Sequence, residues 1–190
     1  MKVLAINGSP HEDGNTVALI NMVFDELERE GIDTELLQLG GKLVRGCRVC
    51  LECVENQDNR CSIVEDPINE MIAKMMEADG IILGSPTYFS NVTTEMKALI
   101  DRAGFVSRSN RGLFKRKVGA AVVAVRRAGG LQVFNAINQF FIIGQMIIPG
   151  SSYWNLGMGL KPGDVASDEE GVRTMKDLGV NMAWLLKKLQ

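Results

Sequence analysis

Basic residues are missing from the first part of this chain. No Lys or Arg lies anywhere from Val3 to Leu27, and the 190 residues include one histidine, His11. The missing lysine excludes a triphosphate loop, G-x4-G-K-[ST]: five residues separate Gly8 from Gly14, and Asn15 stands where that lysine would be. A dinucleotide fingerprint, G-x-G-x-x-G, is absent as well. No catalytic acid or base is identifiable, and His11, in a polar loop, suits binding better than proton transfer. There is no excess of positive charge, since the formal net charge is −2, so electrostatics give no case for nucleic acid or an acidic membrane. No apolar run approaches the roughly 18 residues that a membrane helix needs. The N-terminus enters a strand at once, without a basic-then-apolar leader, and the location expected from this is the cytoplasm.

What is present reads as one globular domain, residues 1–190, with 46% hydrophobic and 23% charged residues. Val3 to Ile6 is a short apolar run that fits a strand buried on both faces of a parallel sheet. Asn7-Gly-Ser-Pro10 breaks it, and Leu19, Ile20, Val23 and Leu27 then recur at helical spacing. Strand, small polar loop and helix start aim free N–H groups and the positive end of a helix dipole at one point. Ser9, Asn15 and Thr16 add side-chain donors there. A single monoester phosphate such as that of FMN asks for no cation beyond these; the alternative is an ordinary βα turn with good capping residues.

The same grammar repeats along the chain. Asp33 to Leu39 reads as a second strand, Ile81 to Gly84 as a third and Val118 to Val125 as a fourth. Met146 to Ile148 and the residues after it are expected to form the fifth. Asp66-Pro67 opens a helix lined by Met71, Ile72, Met75 and Met76, and Ser167-Asp-Glu-Glu170 reads as a capping box opening the last one. Lys97 and Asp101, four apart, form a surface pair. The helix from Leu131 to Ile143 is apolar over more than one face, which predicts burial on two sides, one of them against another subunit. Five strands alternating with five helices make a doubly wound α/β sheet, with order 2-1-3-4-5 expected and ligands at the carboxyl ends of the strands.

In that order the loops 8–16, 85–92 and 126–130 converge on one crevice. The first suits a phosphate. The second offers Thr87, Tyr88, Phe89, Ser90 and Asn91, aromatic surface plus amides for a flat heteroaromatic ring. The third offers glycines for close backbone approach and Arg126 and Arg127 for anionic charge. Each loop alone has a plain reading, core packing for the rings and a solvated pair for the arginines; together they point to a flavin.

All four cysteines fall between 47 and 61, inside a stretch of about residues 40–65 that matches neither structural period. Cys47, Cys50 and Cys53 make two C-x2-C steps sharing the middle residue, and Cys61 follows after seven more. Thiolates wound around one centre in this way are the habit of [4Fe–4S] ligation, whereas structural zinc takes two separate hooks. Zinc, or a loop without metal, are the other readings. Lys42, Arg45, Arg48 and Arg60 would offset the negative charge of a tetrathiolate cluster.

Gly8-Ser-Pro10 with Gly14-Asn-Thr16, Gly46-Cys-x2-Cys-x2-Cys53, Gly84-Ser-Pro-Thr-Tyr-Phe89, Lys97-Ala-Leu-Ile-Asp-Arg102 and Arg127-Ala-Gly-Gly130 resemble the NADPH-dependent FMN reductase-like flavoproteins, specifically the iron–sulfur flavoproteins. The resemblance covers nearly the whole chain. It implies a flavodoxin-like fold with a cysteine-rich loop after strand 2, FMN, and a [4Fe–4S] cluster on Cys47, Cys50, Cys53 and Cys61, near a flavin in a homodimer or homotetramer. By the same resemblance Ser9, Pro10, His11, Gly14, Asn15 and Thr16 fall on the phosphate loop. Pro86, Thr87, Tyr88, Phe89, Ser90, Asn91 and Val92 fall on the ring-binding loop, and Arg127, Ala128, Gly129 and Gly130 on the third.

The reading that follows is an electron-transfer flavoprotein with cluster and FMN in series. A plain NAD(P)H-dependent FMN or quinone reductase, its cysteine loop structural, is the first alternative. A non-enzymatic redox- or metal-sensing binding protein is the second. Nothing in the sequence selects NADPH, NADH or a protein donor such as ferredoxin.

Overall fold

The apolar runs become strands of one parallel sheet. A computed structural model describes residues 1–189. Its strands are β1 (Lys2–Asn7), β2 (Asp33–Gln38), β3 (Gly80–Pro86), β4 (Val118–Val125) and β5 (Leu156–Met158). They are all parallel, as the alternation of strands and helices predicts, and are hydrogen-bonded in the expected order β2-β1-β3-β4-β5. Successive side chains leave a strand on opposite faces. Leu4, Ile6, Ile81, Leu83, Ala121 and Val123 therefore join the core under α3 (Ile68–Glu77), α4 (Thr94–Ser109) and α5 (Gly130–Ile143). Val3, Ala5, Ile82, Ala120 and Val122 join the core under α1 (Asn15–Arg29) and α6 (Glu169–Lys188). Burying one such Leu, Ile or Val contributes about 1.5–3 kcal/mol, so a strand apolar on both faces belongs between two helical layers. No helix among the described residues is long and apolar enough to cross a membrane.

Three local readings change. The fifth strand is split. Ile147 bridges to Val118 at the start of β4, but the run 146–148 ends there, and Leu156–Met158 pairs with Val123–Val125 at the other end. In the gap Asn155 takes the ladder's place: its Nδ2 donates to the Ala121 carbonyl at 2.9 Å and its carbonyl accepts from Val123 N–H at 3.0 Å. The cap of α6 is Asp168, not Ser167, because Asp164–Ser167 already forms a 3-10 turn. One Asp168 oxygen accepts from Gly171 N–H at 3.0 Å, and the other accepts from Met158 N–H at 2.7 Å, tying β5 to the helix. The cysteine stretch contains one short helix, α2 (Glu52–Asn56), that the sequence did not announce. The Lys97–Asp101 pair is present at 2.5 Å on the exposed face of α4.

Candidate functional site

Behind the first loop stands a polar network that the sequence did not reveal. Asn7, the last residue of β1 and fully buried, donates from Nδ2 to Gln38 Oε1 at 2.6 Å and accepts on Oδ1 from Ser9 N–H at 2.9 Å. Gln38, the last residue of β2, donates to the carbonyls of Ser9 and Gly40, both at 2.7 Å. Gly40 has to be glycine: a Cβ there would lie 2.2 Å from the Ser9 carbonyl carbon. The ends of two neighbouring strands thus fix the turn at Ser9. Ser9 is buried, and its Oγ accepts from His11 N–H at 3.2 Å. Pro10 and His11 are exposed on the outside of the turn.

The helix that follows presents its first turn. Ala18 N–H makes the first helical bond, to the carbonyl of the buried Gly14, so the amides of Asn15, Thr16 and Val17 precede the ladder. Thr16 Oγ1 is buried without a hydrogen-bond partner. An orphaned hydroxyl of this kind costs about 1–3 kcal/mol, and it sits among amides that favour an anion. The Asn15 side chain is engaged elsewhere, donating to the Lys161 carbonyl and accepting from Gly163 N–H, both at 2.9 Å. It joins the start of α1 to the segment after β5, and its backbone amide remains at the helix end.

The second loop is a tight turn. Tyr88 and Asn91 exchange backbone hydrogen bonds at 2.9 Å, and Phe89 and Ser90 between them have φ of 44° and 61°. Two central residues with positive φ define a type I′ turn, here without the glycine that usually relieves it. Neither ring belongs to the core: Tyr88 is 47% exposed and Phe89 107%. Thr87 is pinned to the end of β4 through its amide and hydroxyl, both donating to the Ala124 carbonyl. Val92, in contrast, turns its side chain into the core, and its amide donates to Asn91 Oδ1 at 2.8 Å. Pro86 is half-buried at the strand end.

The third loop meets the second at Gly129. Its φ is +86°, and a Cβ there would lie 2.8 Å from Ser90 Oγ and 3.3 Å from Thr87 Cγ2. Arg126, Arg127 and Ala128 are exposed, and neither arginine forms an ion pair among the described residues. Gly130 is buried as the first residue of α5. The first loop joins this group through Thr93, whose Oγ1 donates to the Gly8 carbonyl at 2.8 Å and accepts from Met96 N–H to cap α4. All three loops therefore open at the carboxyl edge of the sheet, around the join of β1, β3 and β4.

The cysteine stretch lies elsewhere. Cys47, Cys50, Cys53 and Cys61 line one concavity, walled by Val49, Leu51, Ile63, Phe105 and Val106 and by Arg48 and Arg102. Phe105 and Val106 belong to the second half of α4. Eight residues of helix, about 12 Å, separate the helix start at Thr94 from Arg102, so the thiols lie well down the helix from the crevice. A loop that follows strand two starts at the carboxyl edge, but this one does not stay there. The chain leaves the edge at Gly40 and runs down α4 until α3 begins.

Arg102 organises this wall. It is fully buried and donates to four acceptors: Cys61 Sγ (3.3 Å), the carbonyls of Arg45 (3.1 Å) and Ile63 (2.8 Å), and Asp66 Oδ2 (2.5 Å). Asp66 also accepts from the amides of Arg45 and Ile68. It is not the helix cap that the sequence suggests: Pro67 holds that position, and Asp66 reaches the first helical amide from one residue further out. Burial pushes the Asp66 carboxyl up, but the Arg102 hydrogen bond, the two amides and the Arg102 charge together hold it below the ordinary carboxylate value. Asn69 clasps the Cys61 backbone, accepting from its N–H and donating to its carbonyl, both at 2.8 Å. Cys47 Sγ accepts from Val49 N–H at 3.4 Å. Around the thiols Val49, Leu51, Gln57 and Asn59 all have positive φ, between 50° and 65°. Such a conformation costs about 1–3 kcal/mol per residue and is a true outlier for β-branched Val49. The exposed Cys50 thiol is held below its ordinary pKa by the Ser62 hydroxyl, then by the Glu52 amide and Arg48. No three Cys, His, Asp or Glu side chains among the described residues are placed to hold a single metal ion.

The sequence exposed part of this site. Arg102 closes one of the motifs quoted above and Asp66 read as a helix cap, but nothing in their spacing tied either to the cysteines. Asn7, Gln38 and Asn69 carry no signature at all, because an amide that braces a loop from behind has no fixed spacing to what it braces.

The model of the family described as NADPH-dependent FMN reductase matches residues 1–161. An iron–sulfur flavoprotein of Methanocaldococcus jannaschii is 37% identical over 201 residues, covering 100% of both chains. Another, of Archaeoglobus fulgidus, is 34% identical over 191 residues, covering 99% of this chain and 92% of that one. Among solved structures, a flavodoxin from the domain Archaea superposes with a TM-score of 0.63 at 18% identity over 98% of this chain and 99% of its own, a likeness of fold.

Proposed function

This chain belongs to the iron–sulfur flavoproteins of the NADPH-dependent FMN reductase family, and on that premise we infer that it is an FMN-dependent oxidoreductase passing electrons between a [4Fe–4S] cluster and FMN. The observation that carries this reading is the shared concavity: four thiols on one apolar wall, with a buried guanidinium among them. Structural zinc takes two separate hooks, whereas these four thiols share one wall. A cluster takes each thiolate on a different iron. The strained wrap, the N–H groups at Cys47 and Cys61 and the apolar wall fit such a group. Anaerobically purified protein should therefore be brown and contain four irons and one FMN per chain. A yellow protein without iron would favour the plain reductase.

In this reading the whole chain is one FMN-binding unit with the cysteine stretch as an insertion. Ser9, Pro10, His11, Gly14, Asn15 and Thr16 surround the phosphate, with Asn15 and Gly14 acting through the backbone. Pro86 to Asn91 and Arg127 to Gly130 hold the ring, with Val92 supporting the turn from the core. When bound, FMN accepts one or two electrons and the cluster one, so the pair couples one-electron to two-electron chemistry. The chain's own part is to orient and shield them.

Thr16 gives the sharpest test of the phosphate site. Thr16→Val removes an orphaned buried hydroxyl, so the FMN-free protein should melt at a higher temperature than its parent. FMN affinity should fall about 10- to 100-fold, the loss expected for one hydrogen bond to a charged group. Fluorescence titration with FMN measures this, and unchanged affinity would remove Thr16 from the phosphate site.

The reading also includes more than one chain. The thiols stand about half of α4 away from their own crevice, and α5 leaves Leu131, Ile142 and Ile143 exposed. A homodimer or homotetramer would cover this apolar surface. Sedimentation at micromolar concentration should show multiples of 20.8 kDa; a clean monomer would count against it. The exposed Arg45, Arg48 and Arg60 offer an acidic donor protein, such as a ferredoxin, a place to dock.

A further inference from the structure

We propose that Arg102 sets the electron affinity of the cysteine site, as a buried positive charge and N–H donor on the Cys61 sulfur. This rests on the reading that the four cysteines hold a [4Fe–4S] cluster. Three other arginines stand near the thiols, but Arg45, Arg48 and Arg60 are exposed, and Arg48 is paired with Glu52 at 3.1 Å. Charges in solvent are screened within about 8–10 Å at ordinary ionic strength. Arg102 is fully buried, and its Nε–H points at a ligand sulfur rather than at water.

The physical argument concerns the difference between two oxidation states. Reduction adds one negative charge to the site, and the electron comes from a one-electron donor that is itself oxidised. No proton needs to move, because a guanidinium stays protonated. A fixed cation, and a hydrogen bond to a ligand sulfur, both stabilise the more negative state more than the less negative one. Asp66, at 2.5 Å from Arg102 and equally buried, acts with the opposite sign. The two residues therefore form a lever with two arms, and each arm makes its own prediction. A residue that only stapled the loop would behave differently. Loosening the staple from either side would move the potential in one common direction, or not move it at all.

The experiment is a redox titration, followed by electron paramagnetic resonance, of anaerobically reconstituted protein carrying both cofactors. Arg102→Met should make one-electron reduction of the iron site about tenfold less favourable, a shift of about 59 mV to more negative potential. Arg102→Lys, which keeps the charge and loses the planar N–H fork, should shift it less in the same direction. Asp66→Asn, which removes the charge and keeps one of the two acceptor oxygens, should shift it the opposite way. Shifts of the same sign in Arg102→Met and Asp66→Asn, or no shift in either, would overturn the proposal. If Arg102→Met retains no cluster, Asp66→Asn decides alone: a potential at or below that of the parent overturns it. If the parent itself takes up no iron, the reading of the cysteines fails; if it does and the potentials stay put, only the role of Arg102 fails.

Discussion

A Cys50→Ala variant is expected to bind FMN like its parent and to lose flavin reduction by a one-electron donor such as reduced ferredoxin. Cys50 is the most dispensable thiol for the fold. It is exposed and its Sγ touches the Ser62 hydroxyl at 3.2 Å. Removing a surface group of this kind changes stability by about 0.5 kcal/mol at most. The crevice loops, at the other end of α4, should not notice the change. If the four cysteines hold the cluster, however, losing one ligand removes the electron's port, so delivery from the donor should drop to background. A merely structural cysteine loop predicts the reverse, a lower melting temperature with reduction intact. Rates of flavin reduction and thermal melts on the same preparation separate the two, and an unchanged rate would sink the electron-port reading.

The largest expected loss of stability belongs to Asp66→Ala. The substitution leaves Arg102 fully buried without its counter-charge, a change that costs about 3–5 kcal/mol in buried pairs. For a chain of this length that is a fall of about 6–20 °C in melting temperature, best measured on cluster-free protein. The dependence on pH carries a definite sign. Because the Asp66 carboxyl is held below its ordinary value in the folded state, its contribution is complete above the unfolded value of about 3.9. It is lost as the pH falls through the lower, folded value. Parent and variant should therefore differ by a constant amount near neutrality and converge only in acid well below pH 4. A gap that closed between pH 5 and 7 would mean that another group is responsible.

The sheet was largely legible because both of its faces are buried. β1, β3 and β4 announce themselves as continuous apolar runs, their alternation with helices makes the sheet parallel, and the order is the flavodoxin-like one that the resemblance implies. β5 was misread because Met146 to Ile148 has the composition of a strand and does touch β4, whereas the longer pairing lies past the side-chain bridge of Asn155. Of the crevice, the loops were legible from their glycines and hydroxyls. The direction of each side chain was not: Asn15 turns to the Lys161 segment and Val92 to the core. The cysteine spacing was plain, but its position against the second half of α4 depends on the buried Arg102, whose partners are 36 to 57 residues away.

That arginine gives α4 a further consequence, for how such a chain can vary in length. The helix start abuts the crevice at Thr93 and Thr94, and Arg102 faces the thiols two turns on. Inserting one residue between them would rotate Arg102 by about 100° around the helix axis, off Asp66 and Cys61, without disturbing the cap at Thr93. A whole added turn would restore the facing but slide the arginine along by about 5.4 Å. The span from Thr94 to Arg102 is thus fixed in both phase and reach. Insertions and deletions among relatives should collect in the connections at 40–51 and 110–117, leaving those nine helical positions intact.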